Sequence, residues 1–232
     1  MPAVAVVIPA YNEADRVGAT VAAARALPGV DVVVVVDDGS RDATAAVARE
    51  AGARTLRYAR NHGKAMAMKV GAREVAELDR RRPVDGGPRH LLFLDADLEA
   101  TAGCAGPLIG PVAAGQADMT IAVFASRVKR GGHGFVVRLA GSGIRRAVGW
   151  APAQPLNGQR CLTRAAFDAA RPLARGFGVE TAMTIDLARK GMRIVEVEVE
   201  MAHRATGADL PSQLHRARQF ADVGLALATR LR

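Results

Sequence analysis

The sequence has 232 residues, half of them apolar, so one sizeable hydrophobic core in a single domain over residues 1–232 is expected. Its net charge of +9 suits phosphorylated molecules, nucleic acid or an anionic membrane surface. Two distant cysteines exclude a disulfide scaffold, and no apolar run approaches the roughly 20 residues of a membrane span. We expect a cytoplasmic protein, with peripheral contact at the inner face of the membrane left open.

The first hundred residues alternate strand and helix patterns. The runs "AVAVVI", "DVVVVVDDGS" and "HLLFLDAD" are almost continuously apolar, which is typical of strands in a parallel sheet covered on both faces. Helix-like segments follow each of the first two strands and precede the third, at 13–27, 42–51 and 63–78. This order predicts an α/β fold with a mostly parallel, doubly wound sheet and right-handed connections.

The second half continues with a fourth strand in "MTIAVFASR" and a basic loop in "RVKRGGHGF". A helix over 135–150, a short strand in "GQRCLT" and a helix over 163–170 come next. The segment "GVETAMTIDLARKG" predicts another helix, and the alternation in "MRIVEVEVEM" predicts an edge or antiparallel strand. The last helix is expected over 209–231.

Polar clusters follow the first three long apolar strands, in "PAYNE", "DDGS" and "DAD". Ligands of open α/β sheets bind beyond the carboxyl ends of the strands, so these clusters should converge on one crevice. Asp95 and Asp97 offer two hard oxygen ligands, which suit Mg²⁺ or Mn²⁺ bridging to a diphosphate. Neither a GxxxxGK[ST] loop nor a GxGxxG fingerprint is present, which argues against a P-loop enzyme and a dinucleotide dehydrogenase.

Two further residues have weaker signals. Lys64 begins a predicted helix in "RNHGKAMAM", where a cation and a helix N-terminus favour phosphate. His203 follows the acidic strand alone, and a lone histidine is more often structural than a metal ligand. The spacing by itself therefore favours a structural role for His203.

Four segments occur in order and together resemble family 2 glycosyltransferases with the GT-A fold: "VVIPAYNEADRVGAT", "VVVVDDGSRDAT", "NHGKAMAMKVGA" and "LLFLDADLEAT". The second half, with "GFGVETAMTIDLARKG" and "HRATGADLPSQLHRARQF", is similar to glucosyl-3-phosphoglycerate synthases. The resemblance implies a hexosyltransferase that uses a nucleoside-diphosphate-sugar, such as UDP-glucose, with Mg²⁺ or Mn²⁺. It also implies a nucleotide-sugar-binding half over 1–100 and an acceptor-binding half over 101–232.

The resemblance also implies roles for individual residues. Asp95 and Asp97 would form the DxD motif of the family, with Asp97 the more direct metal ligand, and His203 would become a third ligand. Glu13 would lie at the ribose, Asp38 near the base, and Lys64 near the base or the diphosphate. The residues assigned to the nucleotide are Pro9, Ala10, Tyr11, Glu13, Asp38, Lys64, Asp95 and Ala96.

An inverting transfer requires a carboxylate base, and Asp97 and Glu180 are the predicted catalytic residues. Asp186 is the alternative base, but six residues separate it from Glu180 on the predicted helix, so the two do not share a face. Glu180 lies near the helix start and is preferred. Its other interpretation is a favourable charge at a helix N-terminus.

The acceptor is left open. The arginine- and threonine-containing motif of the phosphoglycerate enzymes is not reproduced in "RVKRGGHGFVV", although Arg130 and His133 there could bind an anion. A soluble phosphorylated acceptor, a glycan and a polyprenyl phosphate remain alternatives, as do a homodimer and either anomeric outcome. A sugar nucleotidyltransferase is the competing enzyme class. A nucleic-acid binder is disfavoured because aromatic residues are scarce and the arginines scattered.

Overall fold

The computed structural model describes residues 3–125, 134–201 and 210–231, with the side chains of the last range described from residue 218 onward. Within these ranges the chain forms one seven-stranded sheet in the order β3-β2-β1-β4-β6-β5-β7. The strands are β1 Val4–Ala10, β2 Val30–Asp37, β3 Arg54–Arg57, β4 His90–Phe93, β5 Met119–Phe124, β6 Arg160–Leu162 and β7 Ile194–Val199.

Helices lie between the strands, and two 3-10 turns, Glu99–Ala105 and Gly176–Gly178, precede α4 and α7. The helices are α1 Ala14–Arg25, α2 Thr44–Glu50, α3 Lys64–Arg81, α4 Gly106–Ala113, α5 Gly134–Val148, α6 Arg164–Ala169, α7 Val179–Arg189 and α8 Leu210–Ala228. No helix in the described part of the chain is long and apolar enough to cross a membrane.

The sheet is mostly parallel, as the unbroken valine and leucine runs predict. Strand β1 pairs in parallel with both β2 and β4, and β2 with β3. Strand β6 runs antiparallel between β4 and β5, whereas β7 is parallel to β5 at the sheet edge. The ends of β1, β2 and β4 therefore lie along one edge of the sheet, as a shared crevice requires.

Both faces of the sheet are covered. Successive residues of β1 point to opposite faces, so that Ile8 packs in the core beneath α1 and Val7 packs in the core beneath α3. Helix α3 approaches the sheet closely at Gly71, because a Cβ there would clash with the Cγ1 atom of Val7. This close approach fixes the position of Lys64 at the start of the same helix.

The helices of the second half have a smaller core of their own. Ile144 of α5, Ile185 of α7 and Val223 of α8 pack together, fully buried. Gly143 permits the contact between α5 and α8, because a Cβ at this position would clash with the side chain of Leu227.

The structure contains elements that the sequence did not predict. Strand β3, the 3-10 turn at Glu99–Ala105 and helix α4 were not predicted from the sequence. The strand predicted at 192–201 is an edge strand, and its pairing is parallel. Most of the predicted basic loop, with Arg130 and His133, and the predicted ligand His203 lie outside the described residues.

Candidate active site

The loops that follow β1 and β2 are joined by hydrogen bonds. The backbone N–H of Asn12 donates to Ser40 Oγ at 2.9 Å, and the N–H of Arg41 donates to Asn12 Oδ1 at 2.9 Å. The N–H of Glu13 donates to Thr44 Oγ1 at 2.8 Å. The "PAYNE" and "DDGS" clusters thus form one surface at the edge of the sheet.

The residues predicted for the nucleoside pocket lie on this surface. Pro9 and the buried Ala10 end β1, and Tyr11 follows with 42% of its surface exposed. The half-buried carboxylate of Glu13 accepts from the guanidinium of Arg16 at 3.0 Å. An exposed aromatic ring beside a partly buried carboxylate can contact a base and a ribose.

Asp38 is buried, and its carboxylate accepts the backbone N–H groups of His62 at 2.9 Å and Gly63 at 2.6 Å. It therefore holds the loop that leads into α3. Gly39 has a φ of 83°, and a Cβ there would clash with the backbone of Arg60, so a glycine is required for this approach. The predicted approach of Asp38 to the base remains a prediction.

Lys64 connects the two predicted catalytic regions. Its Nζ atom lies 2.7 Å from Asp95 Oδ1, beyond β4, and 2.9 Å from Glu180 Oε1, in the first turn of α7. Burial by itself would lower the pKa of Lys64, but the charges of Asp95 and Glu180 outweigh it and raise the pKa above its usual value. Gly158 lies against the Lys64–Asp95 ion pair, because a Cβ at this position would clash with the Nζ atom of Lys64.

Gln159 was not anticipated from the sequence, and it fixes Asp95 from two sides. Its Oε1 atom accepts the backbone N–H of Asp95 at 2.8 Å, and its Nε2 donates to Asp95 Oδ2 at 2.7 Å. Gln159 is fully buried, and Asn157 Oδ1 accepts its own backbone N–H. The one available signal was a pair of long polar residues, Gln159 and Arg160, at the start of a short apolar strand.

Arg160 is fully buried and supports the start of α7. Its Nη1 atom donates to the carbonyl of Glu180 at 3.0 Å and to Thr184 Oγ1 at 2.9 Å. Its Nε and Nη2 atoms donate to the carbonyls of Asn157 and Pro155. Burial lowers the pKa of Arg160 to about 10, against the opposing charge of Glu180. The guanidinium thus ties the 155–157 segment to the helix that carries Glu180.

The remaining predicted residues are placed as follows. Ala96 is buried and its carbonyl accepts from Thr20 Oγ1 at 2.9 Å, while Asp97 is half-buried. Asp186, the alternative base, instead pairs with Arg230 at 2.6 Å. No cluster of three His, Cys, Asp or Glu side chains that could hold a metal occurs among the described residues, which do not include His203. The described carboxylates that directly follow β4 are those of Asp95 and Asp97.

Known structures share this architecture. Glucosyl-3-phosphoglycerate synthase from Mycobacterium tuberculosis, solved with Mn²⁺, UDP-glucose and phosphoglyceric acid, superposes with a TM-score of 0.75 at 27% identity, over 99% of this chain and 80% of that chain. The same enzyme, solved with Mg²⁺ and UDP, superposes with a TM-score of 0.77 at 25% identity, over 99% and 79%. The chain is therefore similar to this synthase over nearly its whole length.

Sequence comparison supports the same grouping. Glycosyltransferase AglJ from Haloferax volcanii is 29% identical over 211 residues, which cover 89% of this chain. The chain spans 65% of the length of that relative. The profile of Glycosyl transferase family 2 matches residues 5–146, more than half of the chain. The chain thus belongs to Glycosyl transferase family 2.

Proposed function

We propose that this glycosyltransferase moves a sugar from a UDP-sugar, such as UDP-glucose, to a phosphorylated acceptor, with Mg²⁺ or Mn²⁺ as cofactor. The observation that carries the proposal is the Lys64 bridge, which brings the predicted donor site at Asp95 within one side chain of the predicted base Glu180. The solved synthase complexes with UDP-glucose and phosphoglyceric acid support the donor and the class of acceptor.

The donor nucleotide is proposed to lie along the ends of β1, β2 and β4. Tyr11 and Glu13 are exposed or half-buried on that surface, so a base and a ribose can reach them. Lys64 carries a positive charge 2.7 Å from Asp95 and is suited to a phosphate oxygen of the donor. Asp38 would contribute indirectly to donor binding, because its carboxylate accepts the backbone N–H groups of His62 and Gly63 and so positions the loop before Lys64.

The carboxylate ligands at the end of β4 fit a hard divalent cation. Mg²⁺ is usually bound through one or two carboxylates together with substrate phosphates, and Asp95 and Asp97 supply two carboxylates in that position. When bound, the cation offsets the charge of the departing diphosphate. Asp97 is the proposed direct ligand, Gln159 keeps Asp95 in place, and His203 remains the predicted third ligand.

Glu180 is proposed as the base of an inverting transfer. Its carboxylate is buried, and its Oε1 atom lies 2.9 Å from the Nζ atom of Lys64. As the acceptor oxygen bonds to the anomeric carbon and the bond to the diphosphate oxygen breaks, Glu180 would take the hydroxyl proton. Arg160 holds the backbone of Glu180, so that the carboxylate does not need to be reoriented during the reaction.

The test is thermal stability with UDP, GDP, CDP or ADP, each with Mn²⁺ or with EDTA. A ligand at a hundredfold its dissociation constant adds about 2.7 kcal/mol to the free energy of unfolding. We expect a UDP shift that requires Mn²⁺. No shift with any of the four nucleotides would contradict the proposal, and consumption of a nucleoside triphosphate would favour a sugar nucleotidyltransferase.

The variant that tests the proposed metal ligand is Asp97→Ala. We expect turnover of UDP-glucose to fall by about a hundredfold or more, because the diphosphate loses its compensating charge, while the chain remains folded. Full activity in this variant would remove Asp97 from the site. Glu50→Ala, on the exposed end of α2, is the control, and its activity should equal that of the unmodified chain.

A further inference from the structure

A groove of about 620 Å³ lies beside α5, outside the surface described above. One wall is a face of α5, and the other is the 151–155 segment. We call it the basic groove, because three of its ten lining residues are arginines and none is acidic. Its lining residues are Val137, Arg138, Gly141, Ser142, Arg145, Arg146, Ala151, Pro152, Ala153 and Pro155.

The arginines of the basic groove have no acidic partner among the residues that the structure describes. The Nε of Arg138 donates to the carbonyl of Gly134, one turn earlier, and neither the Arg145 nor the Arg146 side chain forms a hydrogen bond or ion pair with a described residue. All three are exposed. Three unpaired guanidiniums around one concavity form a surface suited to a multiply charged anion.

The face of α5 in the basic groove has a small-residue floor between two cations. Arg138 and Arg145 are seven residues apart, so they lie on one face about 10 Å apart along the helix axis. Gly141 and Ser142 lie between them, and a Cβ at Gly141 would meet no atom within 4 Å. A phosphate group can therefore approach the helix backbone between the two guanidiniums.

The opposite wall is stiff and leads to the candidate active site. Pro152 and Pro155 are both buried, and their rings restrict the backbone of this wall. Three residues after Pro155, the chain reaches Gly158, where a Cβ would lie 3.2 Å from Asp95 Oδ1. Three residues span at most about 11 Å, so the end of the basic groove is within reach of one small acceptor molecule.

A second cavity in the described part of the molecule is also lined by arginines, but two of them are paired with carboxylates. It has a volume of about 460 Å³ and lies at the other end of the sheet. Two of its arginines are paired with carboxylates: Arg89 with Asp31 at 2.6 Å, and Arg54 with Glu74. Those two charges are compensated within the fold, whereas the arginines of the basic groove have no carboxylate partner in the part of the chain that the structure describes.

We propose that the basic groove binds the phosphate group of the acceptor, between Arg138 and Arg145 and over Gly141, while the acceptor hydroxyl extends past Pro155 towards Glu180. This inference rests on the proposed transfer reaction, because it locates the acceptor of that reaction. The acceptor class is a small molecule with a terminal phosphate, either free in solution or at the head of a lipid.

The experiment uses Trp150, the one tryptophan of the sequence, which directly precedes the 151–155 wall. Its fluorescence is followed while inorganic phosphate or phosphoglyceric acid is added at constant ionic strength. Saturating UDP and Mn²⁺ are present throughout, so that the donor site is filled. We expect the fluorescence to change saturably in the unmodified chain. In Arg145→Ala the phosphate affinity should be at least tenfold lower, because charge-assisted hydrogen bonds to the phosphate are lost.

A second variant separates occlusion from loss of charge. Gly141→Leu fills the floor of the basic groove, keeps all three arginines and raises helix propensity, so phosphate binding should be lost without loss of stability. Gly224→Leu is the matched control, at a helical glycine of α8 that also has no atom within 4 Å of its Cβ position. Arg49→Ala, on the exposed side of α2, is the control for charge.

The outcomes distinguish this inference from the proposed function. The assignment of the groove would be overturned if phosphate affinity were equal in the unmodified chain, Arg145→Ala and Gly141→Leu. It would also be overturned if inorganic phosphate, phosphoglyceric acid and lipid vesicles all failed to bind saturably. A UDP shift that persists in these variants would leave the transfer reaction standing. Binding only to phosphatidylcholine vesicles that contain phosphatidic acid, and its loss in Arg145→Ala, would identify the lipid-borne phosphate as the source.

Discussion

The candidate active site and the basic groove differ in whether their charged side chains are paired with one another. Around Asp95 the charged groups contact one another, because Lys64 bridges two carboxylates and Gln159 holds Asp95 from two sides. In the groove, Arg145 and Arg146 contact no described charged group. The difference indicates that the charged groups of the first region already hold one another in place, whereas the guanidiniums of the second are not held by any described carboxylate.

The largest expected effect compares the same substitution in both regions. Arg160→Leu removes four hydrogen bonds of a buried guanidinium and leaves their acceptors unpaired, so it should lower the free energy of unfolding by about 3 kcal/mol or more. Arg145→Leu removes a solvated charge, and its effect should stay within about 0.5 kcal/mol. Urea denaturation followed by circular dichroism measures both, and equal losses would remove the contrast between the regions.

The second effect tests whether Asp95 is held in place for binding. Gln159→Leu leaves Lys64 intact but removes the amide from the Asp95 carboxylate and N–H. We expect Mn²⁺ affinity in the presence of UDP to fall about tenfold, as for other groups that orient a metal ligand. Gln154→Leu is the control, since Gln154 contacts Asn157 and the carbonyl of Phe124. A purely structural role of Gln159 predicts lower stability with unchanged Mn²⁺ affinity.

The smallest effect reports on the strand beneath the site. Cys161 is fully buried in β6, and burial raises the pKa of its thiol to about 12, whereas Cys104 is half-buried. At pH 8 a thiol reagent should therefore modify one cysteine in the native chain and both in urea. Rapid modification of both thiols in the native chain would show that β6 opens readily, which would weaken the description of this region as preorganised.

The sequence predicted the part of the fold around the candidate site whose signals are local. The valine and leucine runs marked β1, β2 and β4, and the polar residues after each strand marked the edge where they meet. Strand β3 escaped prediction because "RTLR" is four residues long, with arginines at both ends. Helix α4 escaped because "GPLIGPVA" contains two glycines and two prolines.

The residues that complete the site depend on a distant pairing. Gln159 reaches Asp95 because β6 inserts antiparallel beside β4, with Arg160 opposite Phe93. No local pattern in "GQRCLT" indicates that neighbour. The groove arginines were seen in the sequence only as part of a basic composition, since their shared face appears once α5 packs against α7 and α8.

The late position of β6 has a consequence for synthesis of the chain. The N-terminal hundred residues leave the ribosome with all three acidic or polar strand ends, but Gln159 and Glu180 follow well afterwards. Because domains fold as units once their contacting segments have emerged, the contacts of Asp95 with Gln159 and of Lys64 with Glu180 can form only after these late segments have emerged. Nucleotide capture on a translating ribosome should therefore begin only after residue 180 has been exposed.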